Sequence, residues 1–218
     1  MEDVKAACPL CNTPQTTFFH HSEERDYRLC PVCDLVFVPE TFFLSPEAEK
    51  AKYDHHQNTL QNSGYVNFLN RLRTPLEKSL KPGAEGLDFG SGPGPTLHLL
   101  MEERGYRMEI YDHFYAHYPQ RLEREYDFIT STEVIEHLHR PREVIEQLWS
   151  ILKPGGVLGI MTAFRVEDFS QWYYKRDLTH ICFYTPETFR WIAKHLGATL
   201  SLPQSGVAIL HKNGAKSP

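Results

Sequence analysis

The sequence predicts an α/β fold: an open, mostly parallel sheet with helices on its faces, preceded by a small N-terminal module. Three observations predict it. Gly86-Leu87-Asp88-Phe89-Gly90-Ser91-Gly92-Pro93-Gly94 reads as a strand, a glycine turn and the approach to a helix. Further short apolar runs, Met108–Asp112, Tyr126–Thr130 and Val157–Thr162, each follow a stretch long enough for a turn or helix, as a parallel sheet requires. Ahead of all of them stand two Cys-x-x-Cys pairs in a segment too short to build its own core.

Those pairs, Cys8-Pro-Leu-Cys11 and Cys30-Pro-Val-Cys33, are 18 residues apart, the spacing of a four-thiolate zinc ribbon. Metal binding then supplies the folding free energy that a segment of about 40 residues lacks. A disulfide pairing fits poorly in a reducing compartment, and redox Cys-x-x-Cys motifs come singly within a βαβ pattern. His20 and His21 are alternative ligands, although four cysteines already complete a tetrahedron. Residues 1–40 carry Lys5, Arg25 and Arg28 against Glu2, Asp3, Glu23, Glu24, Asp26, Asp34 and Glu40, a formal −4. Phosphate binding depends on Lys and Arg, so a nucleic-acid role is disfavoured. We expect the ribbon to pack on the following domain, shape its acceptor site, or form an interface.

Residues 41–80 read as a helical lead-in. Ser45-Pro46-Glu47 is an N-cap followed by a first-turn proline, and Tyr65, Phe68, Leu69 and Leu72 make a one-sided apolar stripe on a helix starting near Ser63. Thr74-Pro75-Leu76-Glu77 looks like a fresh helix start running to the Lys81-Pro82-Gly83 turn. The main domain then spans 81–213, with 214–218 as a tail. Pro95 is expected to open a helix reaching Arg104.

A dinucleotide fingerprint needs glycine at position 95, where this chain has proline, so a pyrophosphate site, and with it a dehydrogenase, is disfavoured. Met108–Asp112 ends in a carboxylate 24 residues beyond Asp88. One strand-helix-strand step brings that end beside the first strand, where an acid can bind both ribose hydroxyls. Only 14 residues separate Asp112 from Asp127, too few for a helix and a full third strand, so the sheet is expected to be shortened there. Thr185-Pro186-Glu187 caps a helix to Leu196, and Ala198–Leu202 pairs with Val207–His211 as a terminal hairpin.

The glycines at 90, 92 and 94 behind Asp88, the run Ser131-Thr132-Glu133-Val134-Ile135-Glu136-His137-Leu138 and the turn Leu152-Lys153-Pro154-Gly155-Gly156 resemble motifs of class I S-adenosylmethionine-dependent methyltransferases. The resemblance covers roughly residues 62–213. It implies a Rossmann-like sheet with an antiparallel last strand, and S-adenosylmethionine as cofactor. By the same resemblance Asp88 faces the cationic methionine end, Asp112 takes the ribose and Phe114 lies against the adenine. Phe89, Gly90, Ser91, Gly92, Gly94, His113, Thr132 and Glu133 complete the expected cofactor contacts.

Methyl transfer needs positioning and, for a hydroxyl or acidic carbon, removal of one proton. His137 and His180 are the candidate catalytic bases. Each has a structural alternative: Glu136-His137 as a loop organiser, His180 as a core histidine paired with Asp177. Trp172, Tyr173 and Tyr174 are either core or acceptor-stacking groups, and Cys182 reads as a small buried residue.

A content of 41% hydrophobic and 23% charged residues is that of an ordinary globular protein, and the net charge of −5 gives no general attraction to polyanions. There is no apolar run of 18 residues, and Met-Glu-Asp-Val-Lys is not a signal sequence. We therefore expect a cytoplasmic protein acting on a small molecule, with a sugar or other natural-product intermediate as the candidate class, and no membrane role. An RNA methyltransferase, or a non-catalytic cofactor-binding module docking partners through its ribbon, is the alternative.

Overall fold

The computed structural model describes residues 6–22, 24–54 and 59–214. Of the expected tail, only Gly214 lies within the described residues. The N-terminal segment forms strands β1 (Thr17–His21), β2 (Asp26–Leu29) and the short β3 (Val36–Phe37), paired antiparallel in that order.

Helix α1 (Pro46–Tyr53) starts where the sequence predicts, with the Ser45 hydroxyl accepting the Ala48 N–H. Helix α2 (Ser63–Glu77) is capped by Asn62 and buries Leu69, Leu72 and Leu76. It differs from expectation in one respect, because Pro75 sits inside it instead of opening a new helix. Proline lacks the N–H that would reach the Arg71 carbonyl. The Gln204 side-chain amide donates to that carbonyl instead, which satisfies the acceptor that proline leaves open.

The main sheet contains β4 (Glu85–Phe89), β5 (Arg107–Tyr111), β6 (Tyr126–Thr132), β7 (Leu152–Met161), β9 (Thr199–Gln204) and β10 (Val207–His211). Their spatial order is β5-β4-β6-β7-β10-β9. The first four strands run parallel, and β10 is antiparallel to both its neighbours. The sheet ends at β5, and a single 3₁₀ segment, Pro119–Glu123, takes the place of a further helix and strand. This agrees with the short Asp112–Asp127 spacing. Helix α3 (Leu97–Glu102) is shorter than predicted and begins two residues after Pro95, because Pro93 to Thr96 continue the loop. Helix α4 is Pro141–Ser150, and α5 (Pro186–Leu196) carries a Thr185–Thr188 capping box and a left-handed Gly197.

A two-residue strand in the segment after β7, β8 (Cys182–Phe183), pairs antiparallel with β3. The N-terminal sheet is thus completed by the main domain, and a continuous buried cluster joins Cys8, Tyr27 and Phe37 to Phe169, Phe183 and Phe189. Among the described residues no helix is long and apolar enough to cross a membrane.

Candidate functional site

A cavity of about 810 Å³ opens at the carboxyl ends of β4, β5 and β6, roofed by Glu49 and Tyr53 of α1 and by Tyr65 and Phe68 of α2. That is the edge where open α/β sheets bind ligands, and the volume is in the range of about 300–1,000 Å³ usual for ligand pockets.

The glycine turn forms one wall. Gly90 has φ 76° and its N–H donates to the Tyr111 carbonyl at 2.7 Å. A Cβ at Gly90 would fall 2.3 Å from Val134, so both conformation and space exclude a larger residue. Gly92 has φ 67° with open space before it, as a ligand-facing backbone requires. Its N–H donates to Asp112 Oδ2 at 2.8 Å, while Asp112 Oδ1 accepts from Phe114 N at 2.8 Å and Tyr115 N at 3.1 Å. Asp112 therefore ties the turn after β4 to the turn after β5. Asp88 is buried beside its strand partner Thr130, whose hydroxyl donates to it at 2.8 Å. Burial, only partly opposed by that hydrogen bond, raises the Asp88 carboxyl to about 6.

Of the residues expected to hold the cofactor, Asp88, Phe89, Gly90, Ser91, Gly92, Asp112, His113, Phe114, Thr132 and Glu133 line the cavity. Gly94 is not among its lining residues; its carbonyl accepts the Thr96 hydroxyl instead.

The opposite wall brings together residues far apart in the chain. Glu133 follows β6 with φ 52°, a left-handed conformation that costs a non-glycine residue energy and fits a site whose surroundings hold it. The Tyr174 hydroxyl lies between two carboxyls, 3.0 Å from Glu133 Oε2 and in a short contact with Glu136 Oε1. Burial raises Glu133 to about 8, helped by the charge of Glu136, and raises Glu136 to about 7. Tyr174 is thus buried and polar in function. The sequence offered no signal for this bridge, because 38 residues separate it from Glu136.

Both candidate histidines border the same cavity, with ring centres 4.7 Å apart. His137 Nδ1 lies 3.0 Å from the Thr179 carbonyl and His180 Nδ1 lies 2.7 Å from that of Tyr174. A carbonyl can only accept, so each Nδ1 carries the proton and each Nε2 the lone pair. The expected His180–Asp177 pairing is long, at 4.0 Å; Asp177 instead accepts from the Thr179 N–H and hydroxyl. Burial, followed by the neighbouring His137, lowers His180 to about 4, which weakens it as a proton acceptor at neutral pH. His137 ties the turn after β6 to the segment after β7. Trp172 is buried, and Tyr173 is exposed.

The four N-terminal cysteines are free thiols whose sulfurs converge, Cys8 and Cys33 at 3.5 Å, Cys11 and Cys30 at 3.3 Å, all within 4.8 Å of one another. A tetrahedral zinc with Zn–S near 2.3 Å places sulfurs about 3.8 Å apart, so the donor set fits such an ion. His20 meets Tyr27 at a tilt and Phe169 edge to face, and His21 pairs with Asp26, so neither joins the cluster. Cys182 is buried, as expected of a small core residue.

A parallel sheet with one reversed strand, and a glycine turn meeting carboxylates at its carboxyl edge, define a Rossmann-like methyltransferase fold. The chain belongs to the methyltransferase family: residues 53–201 match the family described as a methyltransferase domain. Similar curated proteins include the ubiquinone biosynthesis O-methyltransferase of Erwinia tasmaniensis, 30% identical over 91 residues, or 41% of this chain and 37% of that protein. The protein of the same name from Yersinia pestis is 30% identical over 82 residues, 37% and 34% of the two chains. The match spans little more than a third of these relatives. Among solved structures, an O-methyltransferase family protein from Burkholderia thailandensis aligns with TM-score 0.47 and 14% identity over 78% of this chain and 64% of that one. A phosphoethanolamine N-methyltransferase of Haemonchus contortus in complex with S-adenosyl-L-methionine aligns with TM-score 0.46 and 18% identity, over 62% and 38%.

Proposed function

We propose that this chain transfers the methyl group of S-adenosylmethionine to a small-molecule acceptor. One observation carries the reading: a single cavity runs from the glycine turn and Asp112 to His137, Tyr174 and His180, so a cofactor half and an acceptor half share one space. Asp112, fixed by three backbone N–H groups, is oriented for the ribose. Asp88, at the base of the turn, supplies negative charge toward the amino-acid end. When bound, S-adenosylmethionine supplies an electrophilic methyl group; the chain orients the acceptor and keeps water away. The curated relatives are named O-methyltransferases, which favours oxygen as the acceptor atom. A small acceptor is favoured over RNA because Arg25 and Arg28, two of the three basic residues of the N-terminal segment, are buried and bonded internally. We also propose that Cys8, Cys11, Cys30 and Cys33 hold one zinc, and that the protein works in the cytoplasm.

Calorimetry with S-adenosylhomocysteine, followed by a methyl-transfer screen using small-molecule extracts and RNA as separate acceptor sources, tests the reading. Binding together with transfer to the small-molecule fraction is the expected result. Absence of S-adenosylhomocysteine binding would overturn the proposal, and transfer to RNA alone would replace the acceptor class. Binding without transfer to either source would favour the cofactor-binding module.

A further inference from the structure

We propose that Glu136, His137 and His180 form a divalent-cation site on the acceptor side of the cavity, where the ion holds the acceptor's oxygen. The inference rests on the methyltransferase reading for its role, but its geometry is independent of it. One donor atom from each of the three residues lies within 4.8 Å of the others, close enough to share an ion. The residues come from two segments, the turn after β6 and the segment after β7, which the fold brings together.

Two further features point to an ion and not merely to packing. Glu136 is fully buried, and while its Oε1 is taken by Tyr174, its Oε2 has no hydrogen-bond partner. An unpartnered carboxylate oxygen in that position is costly unless a proton or a cation meets it, and the two imidazoles beside it are ligands that a cation would share. Each histidine, moreover, has its Nδ1 committed to a backbone carbonyl, Thr179 for His137 and Tyr174 for His180. This is how metal-binding imidazoles are held: the outer nitrogen donates to a carbonyl, fixing the tautomer that presents the other nitrogen to the metal. Glu133, on the other side of the Tyr174 hydroxyl, adds a second carboxyl close by.

Two imidazoles and a carboxylate suit a borderline divalent ion such as Mn²⁺, Fe²⁺ or Zn²⁺, and three protein ligands leave positions for water or an acceptor oxygen. An ion there would give a hydroxyl acceptor a route to activation. Bound to the cation, the hydroxyl loses its proton to solvent at a lower pH. Its oxygen lone pair then forms the bond to the methyl carbon, and the electron pair of the breaking carbon–sulfur bond stays on sulfur.

The test is titration of the full-length protein, given one equivalent of zinc so that the four thiolates take it and the second site stays open, with Mn²⁺ followed by electron paramagnetic resonance. A hard ion competes poorly for thiolates, so the cysteine cluster does not confuse the reading. A single site per chain is expected, weakened about tenfold or more in both Glu136→Gln and His180→Ala. Glu136→Gln keeps the side-chain volume, and a cooperative thermal melt in either variant shows that the missing ligand, not a missing fold, is responsible. No Mn²⁺ binding by the wild-type chain, or binding that neither variant weakens, overturns the proposal and leaves a hydrogen-bonded cluster. S-Adenosylhomocysteine affinity is measured on the same samples. Its presence without Mn²⁺ binding removes the cation site alone, and Mn²⁺ binding without it removes the methyltransferase reading while the ion site stands.

Discussion

Arg25, buried in the cysteine module, donates its Nη1 to the carbonyl of Leu178 at 2.8 Å, 153 residues further along the chain. Its Nη2 reaches the carbonyls of Lys175 and Asp177, each at 2.9 Å, so one guanidinium gathers the segment that carries His180 into the cavity wall. A second tie runs through Asp34, beside Cys33, which accepts from Arg165 at 2.8 Å and from Thr185, the N-cap of α5, at 2.7 Å. The N-terminal module is in this way a brace for the cavity wall that carries His180.

Replacing Arg25 by Met tests the brace. Hydrogen bonds to charged groups contribute roughly 1.5–3 kcal/mol each, and those sharing one group are not additive. We expect a stability loss of about 2–4 kcal/mol in urea denaturation, and a fall in turnover larger than any change in S-adenosylhomocysteine affinity. Unchanged stability and turnover would show that the three carbonyls find other donors.

Metal removal should reach further than the module itself. Cys30→Ser, or chelation of the wild-type protein, removes one ligand or the whole ion from the proposed zinc site, and structural zinc sites supply folding free energy. Because β3 pairs with β8, hydrogen exchange should rise at Cys182 and Phe183 as well as over β1 to β3, while β4 to β7 stay protected. Exchange confined to residues before Phe43 would separate the module from the site.

How much of this was legible in the sequence depended on whether the signal was local. The glycine turn, the Thr185 cap and the four cysteines each carry their chemistry within a few residues, and the structure has each of these local features in place. The missing third strand was legible from the Asp112–Asp127 spacing alone. The β3–β8 pairing was not, because a two-residue strand has no periodicity to read. Nor were Arg25 and Tyr174, whose partners come from elsewhere in the chain. Pro75 misled for the same reason, since its tolerance in α2 depends on Gln204, which is 129 residues away.

Asp112 should matter to the empty protein and not only to the bound one. Asp112→Ala leaves the Gly92, Phe114 and Tyr115 N–H groups without their acceptor. We expect about 1–3 kcal/mol of destabilisation together with weaker S-adenosylhomocysteine binding. Asp112→Asn keeps one accepting oxygen and should fall between. A variant of normal stability with weakened binding would mean the turns hold without Asp112.

Asp88 gives the site a pH dependence with a definite sign. Its carboxyl is raised to about 6 in the folded protein from an ordinary value of 3.8, mainly by burial. A raised folded value means that the native state binds the proton more tightly, so its contribution to stability is fully present below pH 3.8 and is lost as the pH rises through about 6. Above that pH the empty protein carries a buried, strained charge, which a cationic ligand end would relieve. Asp88→Asn should therefore stabilise the empty protein at pH 7.5 while weakening binding of S-adenosylhomocysteine, whose ammonium loses its partner. In the wild-type protein, affinity should drop as the pH falls through about 6, and the Asn variant should lose that part of the pH dependence. Calorimetry across pH 5–8 on both proteins decides the matter. Parallel pH profiles would take Asp88 out of the cofactor site and leave it as a buried partner of Thr130.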